Sequence, residues 1–592
     1  MDLIKPQDLL SSVKPLKYLG GDSAARFMMK TLKLNVLNDR YNLVSGLKEQ
    51  AFIDKVIEEL GFTFEIPEED LANIPKEGPF ISIHNHPYGG LDGILLIKLL
   101  GTARPDFKIL VNFLLTKIQP VESFFLPVNP FETHKDVRSS YSGLKEAFSH
   151  LSKGFPLGIY PAGEVSSYQF DKKKVTDRNW QLSVIKFIKK AQVPILPVYF
   201  EGHNSRMFQI LGMIHPLLRT AKLPSELFNK EGKKVRVRIG TPIPVKDQDV
   251  FSDINDFKKF LRTKTYSLGL SDEIRKSQSV QAPRMEDIIA PVNDEDIIKE
   301  VESIRDEFLL FNLQGVSVFC VPSSRIPNVL REIGRLREVT YREVGEGTNK
   351  SLDLDSFDDY YEQLFIWDDE NHKIVGGYRA GKGKDILPQH GIKGFYVNTL
   401  FRVGPQMIPI LNETIELGRS FVTKEYQKKT YSLFLLWKGI LYLLLKHPEY
   451  RYLIGPVSIS NTFSDLAKAL TVEFMKSNYY NFELAEYIRP KKTFKAKINP
   501  VINRKVFLKH TENDVAKLDR FIQDFEPVFR TPILLKKYIN LNAEIIGFNV
   551  DPKFNYCLDG LMILDLLDVP MNTIESLSKE LDDKSILERF KK

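Results

Sequence analysis

Cysteine is nearly absent. Cys320 and Cys557 are the only two in 592 residues, which excludes a disulfide framework and fits a reducing compartment. Long hydrophobic runs are missing too. The most apolar helical stretch, Tyr431 to Lys446, is too short to cross a bilayer and is interrupted by Lys438, so it reads as a buried domain helix. Met1 to Leu19 mixes charges and prolines without a continuous apolar core, so no signal peptide is expected. Neither zinc-ligand nor P-loop spacing occurs, and the basic stretches lack the regular aromatic interleaving of a nucleic-acid groove; neither a metal site nor a nucleic-acid partner is expected. Charge of one sign is only slightly in excess, at +7 net. The lysines do cluster, at Lys172 to Lys174, Lys186 to Lys190 and Lys491 to Lys497. Such patches suit an acidic carrier protein or an anionic membrane face, and equally the solvated faces of helices.

What the chain does contain is a pair of motifs. Asn85-His86-Pro87-Tyr88-Gly89-Gly90-Leu91-Asp92 is followed about seventy residues later by Tyr160-Pro161-Ala162-Gly163-Glu164-Val165-Ser166. Histidine is the side chain that is both neutral and basic near pH 7, with an unperturbed pKa of about 6.5. It can take a proton from a hydroxyl attacking a thioester, while a carboxylate close behind fixes the imidazole tautomer and stabilises the imidazolium. The substrate's own hydroxyl then serves as nucleophile, and no catalytic Ser or Cys is required. A plainer account exists for the same residues. Phe80 to His84 is β-prone, Gly93 to Leu100 reads as an apolar helix, Asp92 is its N-cap, and Pro87 with Gly89-Gly90 is strand-to-helix punctuation.

The region from about Phe52 to Leu270 resembles the glycerolipid acyltransferase superfamily, in its haemolysin-like branch. The likeness extends to Ala103-Arg104-Pro105-Asp106, Asn112 to Leu115, Phe125 to Val128 and Val193 to Val198. The resemblance implies His86 as general base, Asp92 as its orienting acid, and the block holding Pro161, Gly163 and Glu164 as lining the acceptor site. The chain departs from that pattern twice. Five residues rather than four separate His86 from Asp92, so the loop must bulge for the side chains to meet, which Gly89-Gly90 would allow. Relatives acting on glycerol phosphate or lysophosphatidate tend to carry phosphate-pairing arginines after both blocks; here stand Leu126 to Asn129 and Val165-Ser166. An acceptor alcohol without that phosphate is expected, with Lys172 to Lys174 or Arg178 as the available substitutes.

The length leaves room for two to four domains. Composition breaks near Ser271 to Asp296, giving an expected division into residues 1–275, a linker at 276–296, and residues 297–592. Beyond the break, helical spacing at Ile298 to Phe311 precedes strands at Gly315 to Val321, Gln363 to Trp367, Lys373 to Arg379 and Glu416 to Val422, then a helix from about Leu433 to Leu445. This predicts a mixed sheet with helices on its faces.

This second half resembles the ornithine N-acyltransferases of the acetyltransferase (GNAT) type, which use acyl carrier protein, and more distantly the acyl-homoserine lactone synthases. The resemblance places the active region on Asp355 and Asp358, Arg379, and Glu416 with Arg419. It runs on through Ile454 to Ser460, Thr531 to Tyr538, Gly547-Phe548, Asp551-Pro552 and Phe554. A deprotonated amine is already nucleophilic, so such a site must hold it against a thioester, polarise the carbonyl and collect one proton, here through Glu416 by way of a water. The plainer account is a solvated acidic loop at Asp353, Asp355, Asp358 and Asp359, and a surface Glu416–Arg419 ion pair worth little.

The fold class expected is therefore α/β: a glycerolipid-acyltransferase α/β domain followed by a GNAT-like α+β domain. Together the halves resemble the fused ornithine lipid synthases. The second half would attach a 3-hydroxyacyl group to ornithine or glycine, and the first would esterify that hydroxyl. The resemblance implies acyl carrier protein or coenzyme A thioesters as co-substrates, no bound cofactor, and lysolipid and amino-acid substrates. A cytoplasmic enzyme peripheral to the inner membrane is expected, anchored through the amphipathic stretch Phe27 to Leu37 unless its apolar side packs on the first domain. Three alternatives stay open: a lysophospholipid acyltransferase with an accessory domain, a non-catalytic membrane-binding protein, and a homoserine-lactone-type signal synthase.

Overall fold

The computed structural model describes residues 3–7, 10, 21–128, 137–214, 216–271, 274, 285–428, 430–495 and 497–590. The chain divides into two compact units. One holds residues 1–274 with 500–510 and 523–527; the other holds 275–499, 511–522 and 528–592.

The first unit is built on a seven-stranded sheet. Its strands are β1 (Thr63–Glu65), β2 (Ile81–His84), β3 (Lys108–Asn112), β4 (Phe125–Val128), β5 (Leu157–Ile159), β8 (Ile195–Phe200) and β9 (Lys234–Ile239); β6 (Ser167–Gln169) and β7 (Lys174–Thr176) form a separate hairpin. The order is β1-β9-β8-β2-β5-β3-β4. All neighbours run parallel except β8 and β9. The central strands β2, β5 and β8 are buried almost throughout, as parallel strands covered on both faces must be, whereas β9 alternates Val235, Val237 and Ile239 inward with Lys234 and Arg236 outward. The helix Leu182–Ala191 buries Ile185, Phe187 and Ile188 and turns Lys186 and Lys190 outward, so that lysine cluster lies on the polar face of an amphipathic helix.

The second unit has an eight-stranded sheet. It is made of β10 (Leu309–Leu313), β11 (Val316–Pro322), β12 (Glu362–Asp368), β13 (Lys373–Lys382), β15 (Thr414–Val422), β16 (Tyr452–Ile459), β18 (Glu544–Asp551) and β19 (Cys557–Asp565), while β14 (Phe401–Val403) pairs with β17 (Ile488–Pro490). The order β10-β11-β12-β13-β15-β16-β19-β18 is antiparallel throughout except at β15 and β16. Those two pair in parallel only from Thr414↔Tyr452 to Glu416↔Ile454. Beyond that point β15 continues along β13 and β16 along β19, so the sheet parts between them.

The predicted mixed sheet is present, with two differences of boundary. The segment expected as one helix to Phe311 is a helix at Asp294–Phe308 followed directly by β10; Leu309, Leu310 and Phe311 are apolar in either period, so periodicity does not separate the two. Of the expected linker, residues 276–284 lie outside the described residues. The remainder is tied down: Glu286 N–H donates to Asn349 O, Ile289 N–H to Ser351 O and Val292 N–H to Glu332.

Candidate active sites

In the first unit, β2 ends in His84-Asn85 and the chain turns back as helix Gly90–Leu96. The turn is held from the β8 side. Asn85 Nδ2 donates to Phe200 O and its Oδ1 accepts from Phe200 N–H, each at 2.8 Å. Tyr88 OH donates to Glu201 O at 2.6 Å, and Asn204 Nδ2 donates to Tyr88 O. The extra residue between His86 and Asp92 is accommodated at Gly89, whose φ of 88° lies where only glycine is unstrained. His86 Nδ1 and Asp92 Oδ2 then meet at 2.9 Å.

Asp92 is fully buried, and the same Oδ2 accepts the N–H groups of Tyr88 and Gly89, each at 3.0 Å. It therefore satisfies orphan donors at the helix start and braces the imidazole at once, which joins the plain and the chemical readings of that residue. Burial raises its pKa, opposed by the His86 pair and the two backbone N–H groups. An ionised carboxylate only accepts, so Nδ1 carries the proton and Nε2 keeps its lone pair. The His86 side chain is 17% exposed and lines a cavity of about 870 Å³. The cavity wall is apolar over most of its length, with Ile94, Ile97, Val111, Ile118, Leu223 and Leu227 among its residues; its volume is at the upper end of the roughly 300–1,000 Å³ usual for ligand sites.

The second motif is fastened to the first through Asp177, which the sequence reading missed. His86 N–H and Ser166 Oγ both donate to Asp177 Oδ1, at 3.1 and 2.5 Å, Trp180 Nε1 donates to Oδ2, and Ser166 N–H donates back to His86 O at 2.8 Å. Tyr160, at the head of that motif, lies with its ring centroid 4.1 Å from that of His86. Behind it His84 is buried and held neutral, burial and the neighbouring His86 taking its pKa down to about 3. Pro161 O accepts Gln181 N–H, and Gly163 has a φ of 70° with Gln181 packed where a side chain would stand. Glu164 is an ion-paired carboxylate: Arg219 reaches Oε2 at 2.6 Å and Arg178 reaches Oε1 at 3.1 Å. Arg178, one of the expected phosphate substitutes, is thus engaged. Arg219 comes from the helix Pro216–Phe228, and nothing local in the sequence marks it.

In the second unit the expected residues converge on one buried network. Arg379 Nη1 pairs with Asp355 at 2.5 Å and Asp358 at 3.0 Å; Arg337 pairs with Asp358 at 3.0 Å, and its Nη2 donates to Gln363 Oε1 at 2.7 Å. Arg419 Nε lies 3.0 Å from Asp353, and its Nη1 donates to Tyr396 OH at 3.1 Å. The solvated-loop account holds only for Asp359, which is exposed; Asp353 and Asp358 are buried. Glu416 and Arg419 are no surface pair either. Glu416 is buried and the Arg419 side chain is only 11% exposed, Arg419 stands on a bulge with φ 52°, and each has other partners.

Glu416, 1% exposed, departs from its expected part as proton acceptor. Its Oε2 accepts from Tyr361 OH and from Tyr396 N–H at 2.9 Å, and its Oε1 accepts from Val397 N–H at 2.6 Å. With both oxygens occupied by fixed donors, the carboxylate anchors the Tyr361 hydroxyl and the backbone at Tyr396 and Val397, where helix Val397–Leu400 starts. Sequence spacing gave no sign of those partners.

Burial alone would raise Asp358, but the guanidinium groups of Arg337 and Arg379 bring it down to about 2. An unfolded aspartate titrates near 3.9, so this carboxylate stabilises the fold fully above about pH 4, and the contribution is lost as the pH falls through about 2. Asp358→Asn is expected to be less stable than wild type at pH 6 by about 2 kcal/mol, with the gap closing below about pH 3; urea unfolding across that range measures it.

Fold and sites together define an acyl-transferring enzyme of two domains. The family described as Acyltransferase matches residues 14–274, and the Acetyltransferase (GNAT) domain matches residues 336–438. The glycine N(alpha)-acyltransferase of Bacteroides thetaiotaomicron is 30% identical over 282 residues, 46% of this chain and 77% of that protein. Its namesake from Phocaeicola vulgatus is 29% identical over 283 residues, 46% of this chain and 79% of its own length. The lyso-glycine lipid O-acyltransferase of B. thetaiotaomicron is 26% identical over 277 residues, 45% of this chain and 97% of that protein. The chain belongs to the acyltransferase family of the first of these relatives, and carries an Acyltransferase domain in the same polypeptide.

Proposed function

We propose that this chain is a bifunctional synthase of a diacylated amino-acid lipid. Its second unit joins a 3-hydroxyacyl chain to the nitrogen of glycine, and its first unit esterifies the hydroxyl that chain brings. The observation that carries the reading is the coupling of two chemistries in one polypeptide, whose separate relatives are named for N-acylation of glycine and O-acylation of a lyso-glycine lipid. Those names favour glycine over ornithine.

In the first unit His86 Nε2 takes the proton of the lipid hydroxyl as its oxygen attacks the thioester carbonyl; the C–S bond breaks and the thiolate leaves with the proton from the imidazolium. Asp92 holds the ring and stabilises its cation. The apolar cavity suits acyl chains, and Arg178 and Arg219, both engaged by Glu164, suit an acceptor without a phosphate to claim them. In the second unit the neutral amine attacks a second thioester, the N–C bond replaces the C–S bond, and the ammonium proton passes to the departing thiolate.

Acyl carrier protein is the proposed donor, docking on exposed lysines such as Lys172 to Lys174, Lys491 and Lys492. A peripheral membrane position follows from the product, since each methylene buried is worth about 0.8 kcal/mol. No helix among the described residues is long and apolar enough to cross a membrane. Phe27, at 73% exposed, and the Met207, Ile210, Met213 and Ile214 face of helix Arg206–Ile214 are outward apolar surface that suits contact with lipid.

Mass spectrometry of lipids from an expressing host tests the reading. The expected product is glycine carrying a 3-acyloxyacyl chain on nitrogen. Ester formation on lysophosphatidate with no amide lipid would overturn it in favour of a lysophospholipid acyltransferase.

A further inference from the structure

The eight-stranded sheet carries a row of polar residues on one face. Cross-strand register places Gln363 opposite Arg379 and Arg379 opposite Gly418, with Glu416 on the same face two residues along β15. Glu416 pairs with Ile454 of β16. Ser458, two full pleats further along β16, is opposite Asp559, and Asp559 is opposite Asn549. Directly opposed residues share a face, so Arg379, Glu416, Ser458 and Asp559 all look to the same side, and the gap between β15 and β16 opens between the first pair and the second.

The two banks of that gap differ in charge. On the β13–β15 bank, Arg337, Arg379 and Arg419 are met by Asp353, Asp355 and Asp358. Arg379 is almost wholly buried, yet its Nε and Nη2 have no hydrogen-bond partner among the described residues. On the β16–β19 bank stand Glu346, Asp551 and Asp559. Ser458 Oγ donates to Glu346 at 2.8 Å, and Lys553 N–H donates to Asp551 at 2.8 Å. Asp559 is 4% exposed, and its Oδ2 has no hydrogen-bond partner among the described residues. Among the described residues no Lys, Arg or His forms an ion pair with any of these three carboxylates. The banks meet at two rings. Tyr396 has the Arg379 and Arg419 guanidinium carbons 5.1 and 5.0 Å from its centroid; Phe554, in the turn between Asp551 and Asp559, has Arg419 at 5.2 Å.

Buried charge without a counter-charge is expensive, and buried donors without acceptors are too. Here the two deficits are complementary: one bank holds N–H donors without an acceptor and the other holds carboxylates without a cation, with aromatic rings beside them. We propose that this gap binds a free α-amino acid as its zwitterion, the carboxylate on the open N–H groups of Arg379 and the ammonium on Asp559, with Asp551 and Glu346 behind it. This rests on the N-acyltransferase reading of the second unit and specifies how that site selects its acceptor. The ammonium is held as a cation beside three carboxylates until the thioester is in place, and it gives one proton to water to become the neutral amine that attacks.

The test is steady-state N-acylation by the full chain with a 3-hydroxyhexadecanoyl thioester, comparing glycine, glycinamide and methylamine as acceptors. Wild type is expected to use glycine with a KM at least tenfold below that of glycinamide or methylamine, which lack the carboxylate charge. Asp559→Asn is expected to raise KM for glycine and glycinamide at least tenfold with kcat within about threefold, and without lowering the thermal midpoint, since the Oδ2 it replaces has no partner among the described residues to lose. Glu346→Gln, the second variant should Asp559→Asn fail to fold, is expected to raise both KM values by at least threefold. Equilibrium dialysis with labelled glycine and no thioester reads the same loss without turnover. A wild type that acylates glycine while Asp559→Asn and Glu346→Gln leave KM within twofold would overturn the zwitterion site and spare the N-acyltransferase reading. A wild type that acylates no amine would overturn both.

Discussion

His86→Ala is expected to reduce O-acylation by between about 10²- and 10⁴-fold, the usual contribution of a positioned general base, while N-acylation continues. The lipid profile should then shift from the diacylated product to the monoacyl amide. The separation is clean because of how His86 is held. Its main chain is bound to Asp177 and Ser166 through N–H and O, bonds that alanine retains. What the substitution removes is the ring, its bond to Asp92 and its face against Tyr160. Asp92 keeps two backbone N–H donors, so its carboxylate is not abandoned in the interior. Asp92→Ala is the poorer experiment, since it strips those donors and the imidazole together. An unchanged ratio of diacyl to monoacyl lipid in His86→Ala would remove the first unit from the pathway.

Much of the first site was legible because its chemistry is local. His86 and Asp92 sit six residues apart on a strand-to-helix turn, and Gly89-Gly90 announced the bulge that brings them together. Asp177 and Arg219 were not legible. Each acts through the tertiary fold, one fastening two motifs that are distant in sequence, the other arriving from a later helix to hold Glu164. An isolated Asp or Arg in a charged stretch carries no periodic or spacing signal. The second unit shows the same limit more strongly. Its strands followed from alternating apolar runs and short turns, and the residues carried over by resemblance did converge. Their partners did not follow, because burial turned apparent surface charges into a balanced interior network. The tail of the chain held a further surprise: residues 500–510 and 523–527 group with the first unit, and no change in composition marks those crossings.

Glu416→Ala is expected to reduce N-acylation by at least 10²-fold while O-acylation of a supplied monoacyl amide persists. Truncation leaves the Tyr396 and Val397 N–H groups and the Tyr361 hydroxyl without their acceptor; buried donors stranded in this way cost about 1–3 kcal/mol each. The strain falls on Tyr396, the ring on which Arg379 and Arg419 both rest. Glu416→Gln separates this anchoring part from the proton-accepting part expected from sequence. Glutamine keeps one carbonyl oxygen for a backbone N–H but presents an amide NH₂ to the other donors, so an anchor is weakened rather than lost. N-acylation should fall by about tenfold in Glu416→Gln, equivalent to about 1.4 kcal/mol, and the pH dependence of kcat should keep its wild-type midpoint. A proton acceptor behaves otherwise: Gln would then be as inactive as Ala, and the acid limb of the profile would vanish with the carboxylate. Burial raises the pKa of Glu416, which would bring such a limb toward the working range and make its presence or loss readable.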